Sequence, residues 1–225
     1  MRQLCEFDLD EQAVINFWAE NEKSKRIEAE RARLRSDNRP IKTLSGNSGL
    51  WDSQTVSSAV KGSKNALNCY RLAQAAYQHT PSVVIELGTN LGISSAYLAL
   101  GSRKANPNTR LITADASGAR INIARDVHET SQLGEIEYVE GLFSDTFDSI
   151  LEKAGTIDVA FVDGEHLLEP TLRYCHGIRQ RMNKGGLIIF DDIEWSDEMK
   201  EAWHAIGQME WTDIFSVHGV GYAVR

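Results

Sequence analysis

The sequence has little cysteine, little proline and no long apolar run. Its 225 residues include four prolines and three cysteines, Cys5, Cys69 and Cys175. The cysteines are far apart and form no C-x-x-C pair, so the sequence predicts neither a zinc knuckle nor a disulfide framework. The longest apolar stretches, such as 187–190, are too short to cross a bilayer, and residues 1–11 contain no apolar signal core. We therefore expect a cytoplasmic protein with no membrane partner.

The sequence also lacks an excess of basic residues. Lys and Arg number 24 against 32 Asp and Glu, which gives a formal net charge of −8. Because nucleic-acid binders usually present a basic face, this acidic balance argues against a nucleic-acid partner. Hydrophobic residues make up 42% of the chain, which is typical of a globular domain with a full core.

The residue pattern divides the chain into two regions, 1–80 and 81–225. The first region lacks strong strand signals and predicts a helical extension. In it, a charged helix is ended by Pro40, a polar loop covers 45–53, and a further helix covers about 65–78. We expect this extension to build part of an acceptor pocket or a dimer contact.

From residue 81 onward, short apolar runs alternate with helical stretches. The apolar runs are 83–87, 111–114, 136–139, 157–162 and 187–190. Because buried parallel strands read as continuous apolar runs, this alternation predicts an α/β sheet with helices on both faces. Two further runs, 211–217 and 220–224, predict a terminal hairpin that adds an antiparallel strand. A Gly-Gly pair at 185–186 is expected to stop the helix before the fifth strand.

The first candidate site is the strand-to-helix loop in V-V-I-E-L-G-T-N-L-G-I-S-S, residues 83–95. Gly88 and Gly92 bracket a tight turn, which lets a ligand approach the backbone closely, and the helix start suits a carboxylate. Ser94 can add a hydroxyl, and Glu86 is placed to attract a ligand ammonium. The dinucleotide pattern G-x-G-x-x-G is absent. A tight turn without a ligand remains the alternative.

The second candidate is Asp115, at the end of L-I-T-A-D. It lies at the carboxyl tip of the next predicted strand, where sheets of this kind bind ligands. A carboxylate there can accept hydrogen bonds from both hydroxyls of a ribose. The alternative is that Asp115 is an N-cap of the following helix.

The third candidate is a set of three carboxylates. Asp163 follows the fourth strand in V-D-G-E-H, and Asp191 and Asp192 follow the fifth in F-D-D-I. Neighbouring strands would bring the three together, where they repel one another unless a cation or protons relieve them. Hard oxygen ligands favour Mg²⁺, Ca²⁺ or Mn²⁺. Alternatively, Asp191 and Asp192 are loop or N-cap residues and Asp163 only borders a cofactor.

Together and in this order, E-L-G-T-N-L-G-I-S, L-I-T-A-D, V-D-G-E-H and K-G-G-L-I-I-F-D-D-I resemble the class I S-adenosylmethionine-dependent methyltransferases. The closer likeness is to cation-dependent O-methyltransferases, which include catechol, caffeoyl-coenzyme A, and macrolide and aminocoumarin sugar types. The resemblance covers about 81–225. It implies a Rossmann-like domain with a mostly parallel seven-stranded sheet and an antiparallel C-terminal hairpin strand.

The resemblance also implies a role for each matching residue. Around the methionine part of the cofactor, the matching residues are Glu86, Gly88, Asn90, Gly92 and Ser94. Asp115 matches the ribose-binding acid, and Leu142 and Phe143 match the wall of the adenine pocket. Asp163 borders the cofactor and, with Asp191 and Asp192, matches the metal ligands.

The resemblance leaves the catalytic base open. His166 stands three residues after the catalytic Asp163, where catechol-type enzymes carry a lysine base, and Glu165 stands where sugar-type enzymes carry an acidic base. The implied reaction is methyl transfer from S-adenosylmethionine to a hydroxyl of a small molecule, assisted by Mg²⁺ or by Mn²⁺ or Ca²⁺. The alternatives are a metal-independent methyltransferase, a nicotinamide-dependent or hydroxylase-like enzyme, and a non-catalytic cofactor-binding protein on the same scaffold.

Overall fold

The computed structural model describes residues 11–44 and 51–225. Cys5 and most of the predicted 45–53 loop lie outside the described residues. In the first region the elements are α1 (Glu11–Ala19), α2 (Glu22–Arg35), β1 (Pro40–Leu44), β2 (Trp51–Thr55), α3 (Val56–Lys61) and α4 (Ala66–His79). Among the described residues, no helix is both long and apolar enough to cross a membrane.

The first region contains strands as well as helices. β1 and β2 pair antiparallel, with Pro40 opposite Thr55, whereas the residue pattern predicted helices alone. Pro40 does not end a helix, because α2 already ends at Arg35 and Pro40 begins β1. Proline is tolerated at the first residue of a strand, where its missing N–H costs no ladder bond. Each strand of this hairpin has only five residues, which is too short to mark it clearly in the sequence.

The second region forms one seven-stranded sheet with the order β5-β4-β3-β6-β7-β9-β8. Its strands are β3 (Val83–Leu87), β4 (Arg110–Asp115), β5 (Glu137–Glu140), β6 (Ile157–Val162), β7 (Met182–Phe190), β8 (Asp213–Val217) and β9 (Val220–Val224). Its helices are α5 (Ile93–Ala105), α6 (Gly118–Thr130), α7 (Phe143–Ala154), α8 (Leu168–Arg181) and α9 (Asp197–Gly207). The strands β3 to β7 are parallel, and β9 lies antiparallel between β7 and β8. The predicted fold class is thereby confirmed.

The sheet order reverses at β3. The chain passes from β3 to β4 and β5 on one side and then crosses to β6 and β7 on the other. Ligands of open α/β sheets bind outside the carboxyl ends of the strands at such a reversal. The loops after β3 and β6 both begin there, since Leu87 and Val162 are neighbours in the ladder.

The glycine pair at 185–186 lies within a strand instead of stopping a helix. Helix α8 ends at Arg181, and β7 runs from Met182 through both glycines. Gly185 has φ 78°, and the β6–β7 register shifts in this part of the strand. Glycine adopts such a backbone readily, so the pair forms an irregularity in β7, and the predicted helix stop is wrong.

Apolar side chains fill both faces of the sheet. Alternate residues of one strand serve opposite layers: Val84 joins the cluster with α4 and α5, and Ile85 joins the cluster with α7 and α8. Trp18 and Ile27 of the first region are fully buried in the former cluster. The first two helices are therefore part of the main core. Burial of each side chain of this size stabilises the fold by about 2–3 kcal/mol.

Candidate active site

The loop after β3 is built for close backbone contact. Gly88 has φ 112°, and a Cβ there would lie 2.1 Å from the carbonyl oxygen of Asp163. The N–H groups of Gly88 and Thr89 both donate to the Ala114 carbonyl, at 2.9 and 3.0 Å. Only glycine fits at this position, and the loop is tied both to the tip of β4 and to the loop after β6.

A buried histidine holds the far end of this loop. His128 Nε2 donates to the carbonyl of Gly92 at 2.8 Å, and its Nδ1 accepts from the Tyr138 hydroxyl at 2.6 Å. Burial lowers the pKa of His128 to about 4, so the ring is neutral. His128 is 2% exposed. As one histidine on a helix, it gave no signal of this role in the sequence.

Glu86 lies fully buried beneath the loop. One of its oxygens accepts from the Thr113 hydroxyl at 2.5 Å, and Thr113 in turn contacts the Thr89 hydroxyl at 2.6 Å. The other oxygen, Oε1, has no hydrogen-bond partner in the described part of the chain, although the hydroxyls of Ser94 and Ser95 lie close to the carboxylate. Burial raises the pKa of Glu86 to about 8.

Asp115 connects the loop after β3 with the start of α6. Its Oδ2 accepts from the Asn90 N–H and its Oδ1 from the Ser117 N–H, both at 2.8 Å. Ser117, and not Asp115, is the N-cap of α6, which decides against the N-cap interpretation of Asp115. Burial raises the pKa of Asp115. Each of its oxygens retains capacity for one more hydrogen bond.

The two candidates for the adenine wall differ in exposure. Leu142 is 37% exposed and is the N-cap of α7, while Phe143 is 7% exposed. A Cβ on Gly164 would lie 2.6 Å from the Phe143 ring, so the glycine after Asp163 makes room for that ring. Phe143 therefore contacts the loop after β6, and Leu142 presents an apolar surface next to it.

The loops after β6 and β7 bring together a compact group of ligand atoms. Single atoms of Asp163, His166 and Asp192 all lie within 4.8 Å of one another. His166 Nε2 is 3.5 Å from Asp163 and 3.7 Å from Asp192, and it has no hydrogen-bond partner among the described residues. Of the predicted metal ligands, the structure thus places Asp163 and Asp192 in one cluster.

Asp191, the remaining predicted ligand, is paired with a lysine. Its carboxylate is 1% exposed and contacts the ammonium of Lys64, which also lies 3.4 Å from Asp192. Lys64 comes from the linker between α3 and α4. Sequence reasoning missed it, because a single lysine in a polar linker 127 residues before Asp191 (191 − 64) carries no pattern.

Glu165, one of the two candidate bases, is engaged elsewhere. Its carboxylate accepts a hydrogen bond from the Tyr174 hydroxyl of α8. Glu165 has φ 49° and Asp192 has φ 51°, a left-handed backbone that costs about 1 kcal/mol or more outside glycine. Such strain is concentrated at functional loops, and here it occurs on both sides of the acidic cluster.

Comparisons with known proteins agree with this geometry. Residues 85–193 match the family model of a methyltransferase domain. No curated protein sequence matches the chain. Three solved structures resemble the chain closely in fold. Cofactor-bound Rv0187 from MTB is 18% identical with a TM-score of 0.71, over 96% of this chain and 95% of that one.

The other two structures are named O-methyltransferases. The enzyme from Bacillus cereus, in complex with SAH, is 17% identical with a TM-score of 0.71, over 96% of each chain. TomG from Streptomyces achromogenes, involved in tomaymycin synthesis and in complex with SAM, is 19% identical with a TM-score of 0.61, over 72% of this chain and 81% of that one. At these identities the likeness concerns the fold. Residues 85–193 are therefore similar to a methyltransferase domain, and the chain has the fold of these solved structures.

Proposed function

We propose that the protein transfers the methyl group of S-adenosylmethionine to a hydroxyl of a small molecule, with a divalent cation beside the acceptor. The observation that carries this proposal is the convergence of three features at the reversal of the sheet. They are the loop at 88–92, the carboxylate of Asp115, and the Asp163–His166–Asp192 cluster. They supply a place for the cofactor and, next to it, a charged place for the acceptor.

The described side chains offer one complementary group to each polar part of the cofactor. The free N–H groups at the start of α5, where Gly92 provides no side-chain cap, suit the cofactor's carboxylate. The unpartnered oxygen of Glu86 suits its ammonium. The remaining capacity of Asp115 suits the two ribose hydroxyls. The complexes of the Bacillus cereus enzyme with SAH and of TomG with SAM support the choice of S-adenosylmethionine as the cofactor.

The acidic cluster suits a divalent cation. Two carboxylates and an unpartnered imidazole nitrogen face one another there. Mg²⁺ prefers oxygen ligands, so Asp163 and Asp192 would hold it, and Asp191 would complete the predicted triad if it were released from Lys64. A cation at this position would supply the positive charge that lowers the pKa of an acceptor hydroxyl.

The contacts favour His166 over Glu165 as the base. The Glu165 carboxylate already accepts a hydrogen bond from the Tyr174 hydroxyl of α8, whereas His166 Nε2 has no hydrogen-bond partner among the described residues. In the reaction, the acceptor O–H gives its proton to His166. The acceptor oxygen forms a bond to the methyl carbon, and the C–S bond breaks with its electron pair going to sulfur, which leaves S-adenosylhomocysteine. Holding the oxygen in line with the methyl group supplies much of the rate.

Titration calorimetry and labelled methyl transfer test this proposal. We expect the protein to bind S-adenosylmethionine and S-adenosylhomocysteine. In a panel of catechols, other phenols and sugars, we expect it to transfer the labelled methyl group to one of these classes of compound. Asp115→Ala should weaken cofactor binding by about 1.5–3 kcal/mol, because the ribose loses hydrogen bonds to a charged group. The matched control, Asp126→Ala, removes an exposed acid from α6 and should leave affinity unchanged. Failure of the folded protein to bind either ligand would contradict the proposal.

A further inference from the structure

We propose that Lys64 is a built-in competitor of the divalent cation. Its ammonium occupies the Asp191–Asp192 edge of the acidic cluster when no cation is bound, and it must leave before Asp191 becomes a ligand. The inference rests on the cation site of the proposed function. It assigns to the first region of the chain a direct control over occupancy of the active site.

The ion pair is desolvated, unlike most lysine contacts on a protein surface. The Lys64 side chain is 13% exposed and that of Asp191 is 1% exposed, and the ammonium is 3.4 Å from Asp192. A buried carboxylate is costly without a positive partner. Asp191 therefore needs a positive partner to stay charged, and in this proposal the ammonium and a metal ion are alternatives in that role.

The backbone of Lys64 is fixed, so only its side chain can move away. Arg31, with a side chain 3% exposed, donates a hydrogen bond to the Lys64 carbonyl and forms an ion pair with Glu28 at 3.2 Å. The next residue, Asn65, is the N-cap of α4 and accepts from the Asn68 N–H at 2.9 Å. The four-carbon side chain of lysine is flexible and allows the ammonium to swing out from this fixed point.

Asp192 lies where both the Lys64 ammonium and the proposed divalent cation would bind, so the two positive charges compete for it. It lies 3.4 Å from the Lys64 ammonium and 3.7 Å from His166, so it faces both the lysine and the predicted cation position. Like charges this close repel strongly outside bulk water. A cation held by Asp163 and Asp192 would thus weaken the hold on Lys64, and Lys64 would in turn weaken the affinity for the cation.

Mn²⁺ titration of the full chain tests the competition. Lys64→Met keeps the apolar length of the side chain but removes the charge, and it should bind Mn²⁺ at least tenfold more tightly than the natural protein. The matched control is Lys61→Met, which removes an exposed positive charge at the end of α3, three residues away. Its Mn²⁺ affinity should stay within twofold, since an exposed charge is screened by solvent and salt.

A second measurement covers the case in which Lys64→Met is poorly stable without metal. Mn²⁺ should then raise the melting temperature of Lys64→Met far more than that of the natural protein. The double variant Lys64→Met, Asp191→Asn should lose this gain, because Asp191 is no longer a charged ligand. Equal Mn²⁺ affinity in the natural protein and Lys64→Met would overturn the inference, as would the absence of Mn²⁺ binding in both.

The same protein preparations separate this inference from the proposed function. Titration with S-adenosylhomocysteine reports on the loop at 88–92 and on Asp115, whereas the Lys64 ammonium pairs with Asp191 and Asp192. Failure to bind it would end the methyltransferase proposal while leaving the Mn²⁺ comparison valid. Normal binding together with equal Mn²⁺ affinities would end only the role of Lys64.

Discussion

Replacing Glu86 by glutamine should change how the stability of the protein depends on pH. Burial raises the pKa of this carboxyl from its usual 4.5 to about 8 in the folded chain. The folded state therefore holds a proton on Glu86 over a pH range in which the unfolded chain has lost it. The resulting stabilisation is fully present below pH 4.5 and is lost as the pH rises through about 8.

The size of the effect follows from the size of the shift. A shift of roughly 3.5 pH units at about 1.36 kcal/mol per unit makes the free energy of unfolding fall by about 4 kcal/mol between pH 4.5 and 8. Glutamine has nearly the same shape and stays neutral throughout. Glu86→Gln should therefore remove this fall and be more stable than the natural protein at pH 8.

Urea denaturation at a series of pH values between 5 and 8.5 measures the difference. The control is Glu152→Gln, which neutralises an exposed carboxylate on α7 and should leave the pH profile of the natural protein in place. S-adenosylhomocysteine should reduce the fall in the free energy of unfolding of the natural protein, because the ligand's ammonium favours the charged form of Glu86. Parallel profiles for Glu86→Gln and the natural protein would show that Glu86 is ionised in the fold and would refute the reasoning.

Three further predictions concern the packing around Gly101, the histidine that holds the loop at 88–92, and the divalent cation. Gly101→Ala should destabilise the fold by about 1–3 kcal/mol, because its Cβ would lie 2.0 Å from the Ala73 carbonyl oxygen, whereas Gly207→Ala meets nothing within 4 Å and should be neutral in thermal unfolding. The pKa of His128 is about 4 in the fold against its usual 6.5, so the stabilisation by the neutral ring should be present above pH 6.5 and lost as the pH falls through about 4. His128→Phe should flatten this part of the plot of unfolding free energy against pH. Methyl transfer should stop in excess chelator and return with Mg²⁺ or Mn²⁺; full turnover in chelator would make the acidic cluster structural.

Local patterns in the sequence were sufficient to predict most of the sheet. The strands at 83–87 and 157–162 have the predicted bounds, because a parallel strand buried on both faces is predominantly apolar. The same reasoning brought Asp163 and Asp192 together, since residues that follow neighbouring parallel strands meet at one edge. The predicted roles of Leu142 and Phe143 stay predictions.

The features that sequence reasoning missed depend on contacts between distant segments. The β1–β2 hairpin consists of two strands of only five residues each, too short to give a clear strand period in the sequence. His128 and Lys64 are single residues whose roles depend on Gly92 and Asp191, more than 30 residues away along the chain. No local propensity reports on such partners. A sequence pattern can therefore predict where the acidic residues lie, but it cannot predict that Lys64 pairs with Asp191.

The contact between Gly88 and Asp163 makes the two halves of the site a single mechanical unit. A Cβ at Gly88 would overlap the Asp163 carbonyl, and the Asp163 N–H donates to Leu87 at 2.8 Å, so the two loops touch through their main chains. Main-chain contacts lack the rotameric freedom that lets side chains absorb a displacement. A shift of the loop at 88–92 is consequently transmitted to Asp163. Under the proposed function, the cofactor and the acceptor should therefore each alter the affinity for the other by the same factor.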